Sequence, residues 1–308
     1  MANGITRASG TPSYASDSAS SFIPQLWAAK LVEKFYRTTV FGDIANTDYE
    51  GTISNMGDKV TIRTRPDITI KNYQIGQDLD YENPTSTAVN LNIDQGKYFG
   101  FKINDVDAYQ SDISLMNEFT DDATEQMKIS IDTDVLGSIY ADVHGENAGN
   151  TAGAKSGSIA LGSADTPLAV TKTNVLDWIV DMGTVLDEQE VPETGRWLLL
   201  PPWVVGMIKK SDLKDASLAG DSTSIMRNGK VGMIDRFTIY NTNGLHVDTG
   251  KTDVIAGHKS GLTFASQMTQ METLKNPKDF GDIVRGLNVF GYKVIGPKYL
   301  AHSVITRA

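Results

Sequence analysis

The chain has 308 residues, a formal net charge of −10 and no cysteine, with 40% hydrophobic and 8% aromatic residues. The missing cysteine excludes disulfides, thiolate metal sites, iron–sulfur clusters and a cysteine nucleophile. The aromatic content excludes disorder throughout, and the acidic balance argues against gripping nucleic-acid phosphates through bulk charge.

In chain order, residues 1–21 are small and polar, with Arg7 the only base. They lack the apolar run of a signal peptide or membrane anchor and read as an arm without a face to bury. No stretch nears about 18 consecutive apolar residues, so no membrane partner is expected. A helix is predicted from Pro24, with Trp27, Leu31 and Phe35 in one row and Leu26 beside it.

The period changes to two from Gly57. Val60 and Ile62 alternate with Thr61 and Arg63, and Pro66 ends that strand. A second extended run covers 68–73, turn residues fill 74–86, and alternation resumes at Val89, Leu91 and Ile93 and over 98–103. Residues 57–103 thus read as a long β-hairpin with a polar, acidic tip. It has too little apolar surface for a core of its own and must lie on something else.

Helical spacing takes over at Asn104 and runs to about Val143, with a restart allowed near Asp112–Ser114. Residues 145–164 are a Gly/Ala/Ser/Asn-rich loop. Beyond it the expectation is α/β: a helix over 172–189, a strand over 196–200, and a short helix from Pro201-Pro202 to about Lys210. Strands are then expected over 231–241, 253–256, 282–291 and 292–306, with a helical turn at 258–264.

Chemistry is sparse. His144, His246, His258 and His302 lack metal-ligand spacing and read as four unrelated surface or loop residues. Residues 149–156 resemble a phosphate loop, but Ala154 separates Gly153 from Lys155 and breaks the motif. The pairs Asp105/Asp107, Asp121/Asp122 and Asp132/Asp134 diverge around a helix and cannot converge on one ion. No nucleophile elbow or dinucleotide motif is present. No catalytic residue, metal or cofactor is expected, and the chain is read as a non-enzyme. Lys59, Arg63 and Arg65 share one strand, either as a positive edge for an acidic neighbour or as ordinary edge protection.

The charge is concentrated. Residues 101–150 hold eleven acids against two bases, so this stretch carries all but one of the net negative charges.

Five stretches, in order, carry a resemblance. They are Phe22-Ile-Pro-Gln-Leu-Trp-Ala-Ala-Lys-Leu31, Gly57-Asp-Lys-Val-Thr-Ile-Arg63, residues 97–110, Leu198-Leu-Leu-Pro-Pro-Trp203, and Gly286-Leu-Asn-Val-Phe-Gly-Tyr-Lys-Val294. With the order of elements, they resemble the major capsid (coat) proteins of tailed bacteriophages, the Hong Kong 97-type fold. The branch of short-tailed Salmonella phages is the most similar, although residues 165–275 leave no room for that branch's extra inserted domain.

The resemblance implies an α+β fold divided into an N-terminal arm and first helix (1–41), an extended loop (42–103) and a peripheral domain with a spine helix (104–164). An axial domain (165–275), with a tip loop near 211–230, and peripheral return strands (276–308) complete it. It implies homo-hexamers and pentamers closing an icosahedral shell around double-stranded DNA held without sequence-specific binding. Portal and scaffolding proteins, a decoration protein, a place in the virion and assembly in the host cytoplasm also follow from it. Expected inter-subunit contacts are Phe22, Trp27, Lys59, Arg63, Arg65, Lys71 and Tyr73. Asp121, Asp122, Glu125 and Asp132 are expected to form an interior acidic face. The rival readings are a non-viral nanocompartment shell of the same fold and an α/β enzyme with an unrecognised site.

Overall fold

The computed structural model describes residues 36–37, 39–48, 59–63, 66, 68–85, 88–104, 115–211, 232–277 and 279–307. Phe22, Trp27, Arg65, Asp105, Asp107, Asp112 and most of the expected tip loop lie outside them.

Four α-helices lie among these residues: α1 (Phe41–Ile44), α2 (Leu115–Leu136), α3 (Val175–Glu188) and α4 (Pro202–Lys210). The strands are β1 (Lys59–Arg63), β2 (Ala88–Asn92), β3 (Gln95–Asn104), β4 (Leu168–Val170), β5 (Arg196–Leu200) and β6 (Met233–Ile234). They continue with β7 (Phe237–Asn241), β8 (Val247–Asp248), β9 (Lys251–His258), β10 (Leu262–Lys275), β11 (Gly281–Val294) and β12 (Leu300–Arg307).

The largest sheet has the order β4-β12-β9-β5-β7-β6, with β8 beside β9. Its central strand β5 is buried at every position, as its unbroken Trp-Leu-Leu-Leu run requires of a strand covered on both faces. Helix α3 buries Val175, Trp178, Ile179, Met182, Val185 and Leu186, the three-and-four spacing of one helical face. Trp178 donates its indole N–H to Ser303 Oγ on β12 at 2.9 Å, which fastens the helix to the sheet. Pro at the start of α4 suits a position where no N–H partner is needed.

A second sheet has the order β10-β11-β3. The β10–β11 hairpin has 14 residues per strand. The expected helical turn before Phe264 is only the short 3-10 turn Lys259–Gly261, after which β10 runs on to Lys275. Two pairings cross the divisions implied by the resemblance. β10, from the expected axial segment, pairs with β11 of the expected peripheral return, and β12, also from that return, enters the large sheet between β4 and β9. Both follow from burial: alternating and continuous apolar runs pair wherever each face finds cover.

β1 and β2 pair antiparallel as the base of the extended loop. Ile62, Leu91 and Ile93 join Ala265 in a small buried cluster, with Val289 packed beside them. The returning strand β3 does not pair with β1, as a simple hairpin would require, but with β11. Gly291 makes this dock possible: a Cβ there would lie 2.1 Å from the Asn92 carbonyl oxygen.

Helix α2 is shorter than its spacing implied. It ends at Leu136 and spans about 33 Å at the usual rise. Gly137 follows at close quarters with the Thr133 carbonyl, and a separate 3-10 turn covers Ile139–Asp142. Its inner residues Ile131, Val135 and Leu136 reach the main core together with Val40 and Ile44.

Candidate subunit interface

Beyond the β1–β2 base the loop has no cover of its own. Every described residue from 66 to 85 is exposed. The segment turns at Gly76, whose φ of 87° lies in the left-handed region glycine favours. Across the turn, the Thr69 N–H donates to Glu82 Oε1 at 2.7 Å, and Lys71 Nζ meets Asp80 Oδ2 at 2.8 Å. These exposed contacts hold the two sides near each other but contribute little stability.

The tip is acidic, with Asp78, Asp80 and Glu82. It is not simply polar. Ile70 is 90% exposed, Ile75 96% and Tyr81 85%, with Ile68, Tyr73 and Leu79 also in solvent. Sequence alternation alone hid this row, because period-two spacing says nothing about which face finds a partner. So many large apolar side chains in one exposed stretch form an uncovered apolar surface of a kind that monomeric proteins rarely carry.

At the loop's base, Lys59 and Arg63 are exposed while Ile62 between them is buried. Both bases therefore lie on the outward face of β1, opposite the side that packs on Ala265. Lys71 and Tyr73 belong to the exposed tip.

The acidic residues of α2 separate into two kinds. Asp121 is exposed, and Glu125 pairs with Lys128 at 2.7 Å one turn along. Asp122 accepts from the Tyr36 hydroxyl and from Gln126 Nε2. The Asp122 hydrogen bond heads the causes that push the Tyr36 phenol up to about 12. Asp132 departs from the expected acidic face. Its carboxylate is fully buried, accepts the backbone N–H groups of Val40 and Phe41, and pairs with Arg37 at 2.9 Å. It anchors the incoming chain to α2. Further along, Asp134 meets Lys97 at 2.6 Å and Asp142 meets Lys293 at 2.8 Å. Basic partners from outside the stretch thus pair with three of its eleven acids.

Two histidines expected to be unrelated come together. His246 Nδ1 lies 2.6 Å from Asp253 Oδ2, and His302 Nε2 lies 2.7 Å from Asp253 Oδ1. The Tyr140 ring stacks on His246 at 5.0 Å and packs against His302 at 5.5 Å. Burial pushes the Asp253 carboxyl up, but the hydrogen bonds and charge of His302 and His246 outweigh it and hold it below the ordinary range. Each imidazole directs one nitrogen at the carboxylate, so the trio is a hydrogen-bonded brace. Among the described residues no group of three or more His, Asp or Glu is placed to hold a metal ion. Fifty-six positions separate His246 from His302, and the β8–β9 and β9–β12 pairings bring both to Asp253 on β9.

Among the described residues, no helix is long and apolar enough to cross a membrane.

Residues 88–303 match the sequence profile of the phage capsid protein family. No curated protein matches the chain. Among solved structures, a chain from Mycobacterium phage Che8 is 27% identical with a TM-score of 0.75, covering 92% of this chain and 97% of its own. The capsid of cyanophage P-SCSP1u is 14% identical with a TM-score of 0.67, over 98% of this chain and all of its own. The capsid of a native GTA particle is 9% identical with the same TM-score, over 94% and 97%.

Proposed function

The chain belongs to the phage capsid protein family, and from that premise we infer the contacts by which its copies close a shell. The protein is a structural capsid protein, not an enzyme, and it self-assembles into an icosahedral shell that encloses DNA. In our reading the copies form hexamers and pentamers, and the extended loop of each copy rests on its neighbour.

The observation that carries this reading is the uncovered apolar row Ile68, Ile70, Tyr73, Ile75, Leu79 and Tyr81. Burying each such side chain on another copy contributes about 1.5–3 kcal/mol before ordering costs. Lys59, Arg63 and Arg65 would meet acidic groups of the neighbour beside that row, with Lys71 and Tyr73 at its tip. A head-to-tail contact of this kind joins two different patches and closes into rings.

The peripheral part in this reading is α2 with the β3, β10 and β11 sheet. The axial part is the large sheet with α3 and α4. Support comes from strand pairing, which keeps each sheet separate. Asp121, Asp122 and Glu125 would face the interior, where negative charge repels DNA phosphates and leaves the genome free to slide. Scaffolding and portal proteins, with a decoration protein outside, are the partners this role calls for, and assembly would take place in the host cytoplasm.

Negative-stain microscopy of the purified protein tests the reading. Closed shells or capsomer rings are the expected result, and a small soluble oligomer would overturn it. The contents of the particles then separate the two shell classes: double-stranded DNA fits a phage capsid, a protein cargo fits a nanocompartment.

A further inference from the structure

Three strands of the large sheet end at one edge. β4 runs parallel to β12, and β9 is antiparallel to both β12 and β5, so β4, β5 and β12 all point the same way. Outside carboxyl ends of this kind, ligands settle in open α/β sheets. Here that place holds a recess of about 400 Å³. Lys172 follows β4, Arg307 closes β12, and α4, which follows β5, contributes Trp203, Gly206, Met207 and Lys210.

Lys172, Lys210 and Arg307 are exposed, and among the described residues none of them pairs with a carboxylate. Elsewhere in this acidic chain Lys97, Arg236, Arg285 and Lys293 each meet one. Lys210 stands in the last turn of α4, where a base suits the helix dipole. That accounts for one of the three, since Lys172 and Arg307 come from other elements. Gly206 is a second, separate sign. It shares one face of α4 with Trp203, Met207 and Lys210, and glycine weakens a helix interior. Its φ is not left-handed, and a Cβ there would meet nothing within 4 Å. Neither the backbone nor a close neighbour requires glycine, so its effect is to leave the recess open.

We propose that this recess binds linked phosphate groups, from a free nucleotide or a nucleic-acid backbone, with Lys172, Lys210 and Arg307 as the cations. Three cations around one recess suit a ligand that carries two or three negative charges close together. Arg307 can offer a phosphate two parallel N–H donors, while the lysines act as point charges. Trp203 and Met207 add apolar surface against which a sugar or base can rest. The acidic loop of another copy is a poorer match. Its Asp78, Asp80 and Glu82 alternate with other residues and stand about 7 Å apart in extended chain. The chain as a whole carries −10 and repels polyanions, so their binding has to come from a local site.

Isothermal titration of the full chain as unassembled subunits, at low salt, tests this with three probes. They are pyrophosphate, an unphosphorylated single-stranded oligonucleotide, and a peptide of residues 76–84. Saturable binding of pyrophosphate or of the oligonucleotide is expected. Pyrophosphate alone would identify a free, compact ligand, and the oligonucleotide a nucleic-acid backbone. Binding of neither, or tighter binding of the acidic peptide, would overturn the proposal. Lys172→Gln with Arg307→Gln is expected to weaken binding about 100-fold, ten-fold for each charge-assisted contact. Gly206→Leu is expected to abolish it by filling the recess while leaving all three charges in place. Unchanged binding in either variant would also overturn the proposal. Should the double variant fail to fold, Lys210→Gln decides, with a loss of about ten-fold expected and no loss overturning the site. None of these measurements requires a shell to form, so their failure is distinct from failure of the capsid reading.

Discussion

Arg37 and Asp132 form a 2.9 Å ion pair in which the carboxylate is fully buried and the guanidinium is 20% exposed. The same carboxylate takes the N–H groups of Val40 and Phe41, so one side chain of α2 holds a whole turn of the incoming chain. Replacing Asp132 by Asn leaves Arg37 without its charge partner. We expect a loss of about 3 kcal/mol, the low end for a broken buried pair, read as a lower denaturant midpoint of the dissociated subunit. Asp121→Asn, on the exposed side of the same helix, is expected to change it by less than about 0.5 kcal/mol.

Asp253 should make stability depend on acid. Its carboxyl titrates below the ordinary range in the folded chain, so its contribution is present above the unfolded value of about 3.9. That contribution fades as pH falls through the lower folded value. Asp253→Asn removes the charge shared by His246 and His302 and is expected to cost about 3 kcal/mol at neutral pH. Thermal unfolding from pH 7 to pH 2 checks the sign: the gap between wild type and variant should narrow below about pH 4. A constant gap would contradict the brace.

Gly291→Ala places a Cβ against the Asn92 carbonyl at 2.1 Å. Backbone cannot yield as a flexible side chain does, so the base of the extended loop must shift. The expected cost is about 1–3 kcal/mol, with faster hydrogen exchange in β1 and β2 and little change in the large sheet.

The loop's apolar row is expected to matter for assembly and not for the fold. Ile70→Asp with Ile75→Asp alters two side chains that are 90% and 96% exposed, so the subunit should unfold within about 0.5 kcal/mol of wild type. Shell formation, followed by light scattering, should be lost. Assembly at the wild-type rate would show that the row does not contact a neighbour.

The acidic face is tested by Asp121→Asn with Glu125→Gln. If this face lines the interior, removing its charge weakens repulsion of the genome, and DNA release from filled particles should slow. Added salt should shrink the difference, since it screens exposed charges beyond about 10 Å.

Much of the fold was legible locally. The row of α3, the buried run of β5, the proline start of α4 and the alternation of β1 are set by spacing along the chain, because 3.6- and 2-residue periods decide which side chains share a face. The full length of β10 was not legible. Its polar outer half, with Gln267, Thr269, Gln270 and Glu272, becomes strand by pairing with β11, a partner that a local pattern does not contain.

Composition by itself determined that this chain has no cysteine chemistry and that nearly all its net charge falls in residues 101–150. Which of those acids remain free was decided only by tertiary structure. Arg37, Lys97 and Lys293 arrive from distant segments to meet Asp132, Asp134 and Asp142, and His246 and His302 converge on Asp253. The physical reason is range. Charge adds up along a sequence wherever the residues stand, but a carboxylate is neutralised only by a partner within a few ångströms. The fold alone brings such partners there.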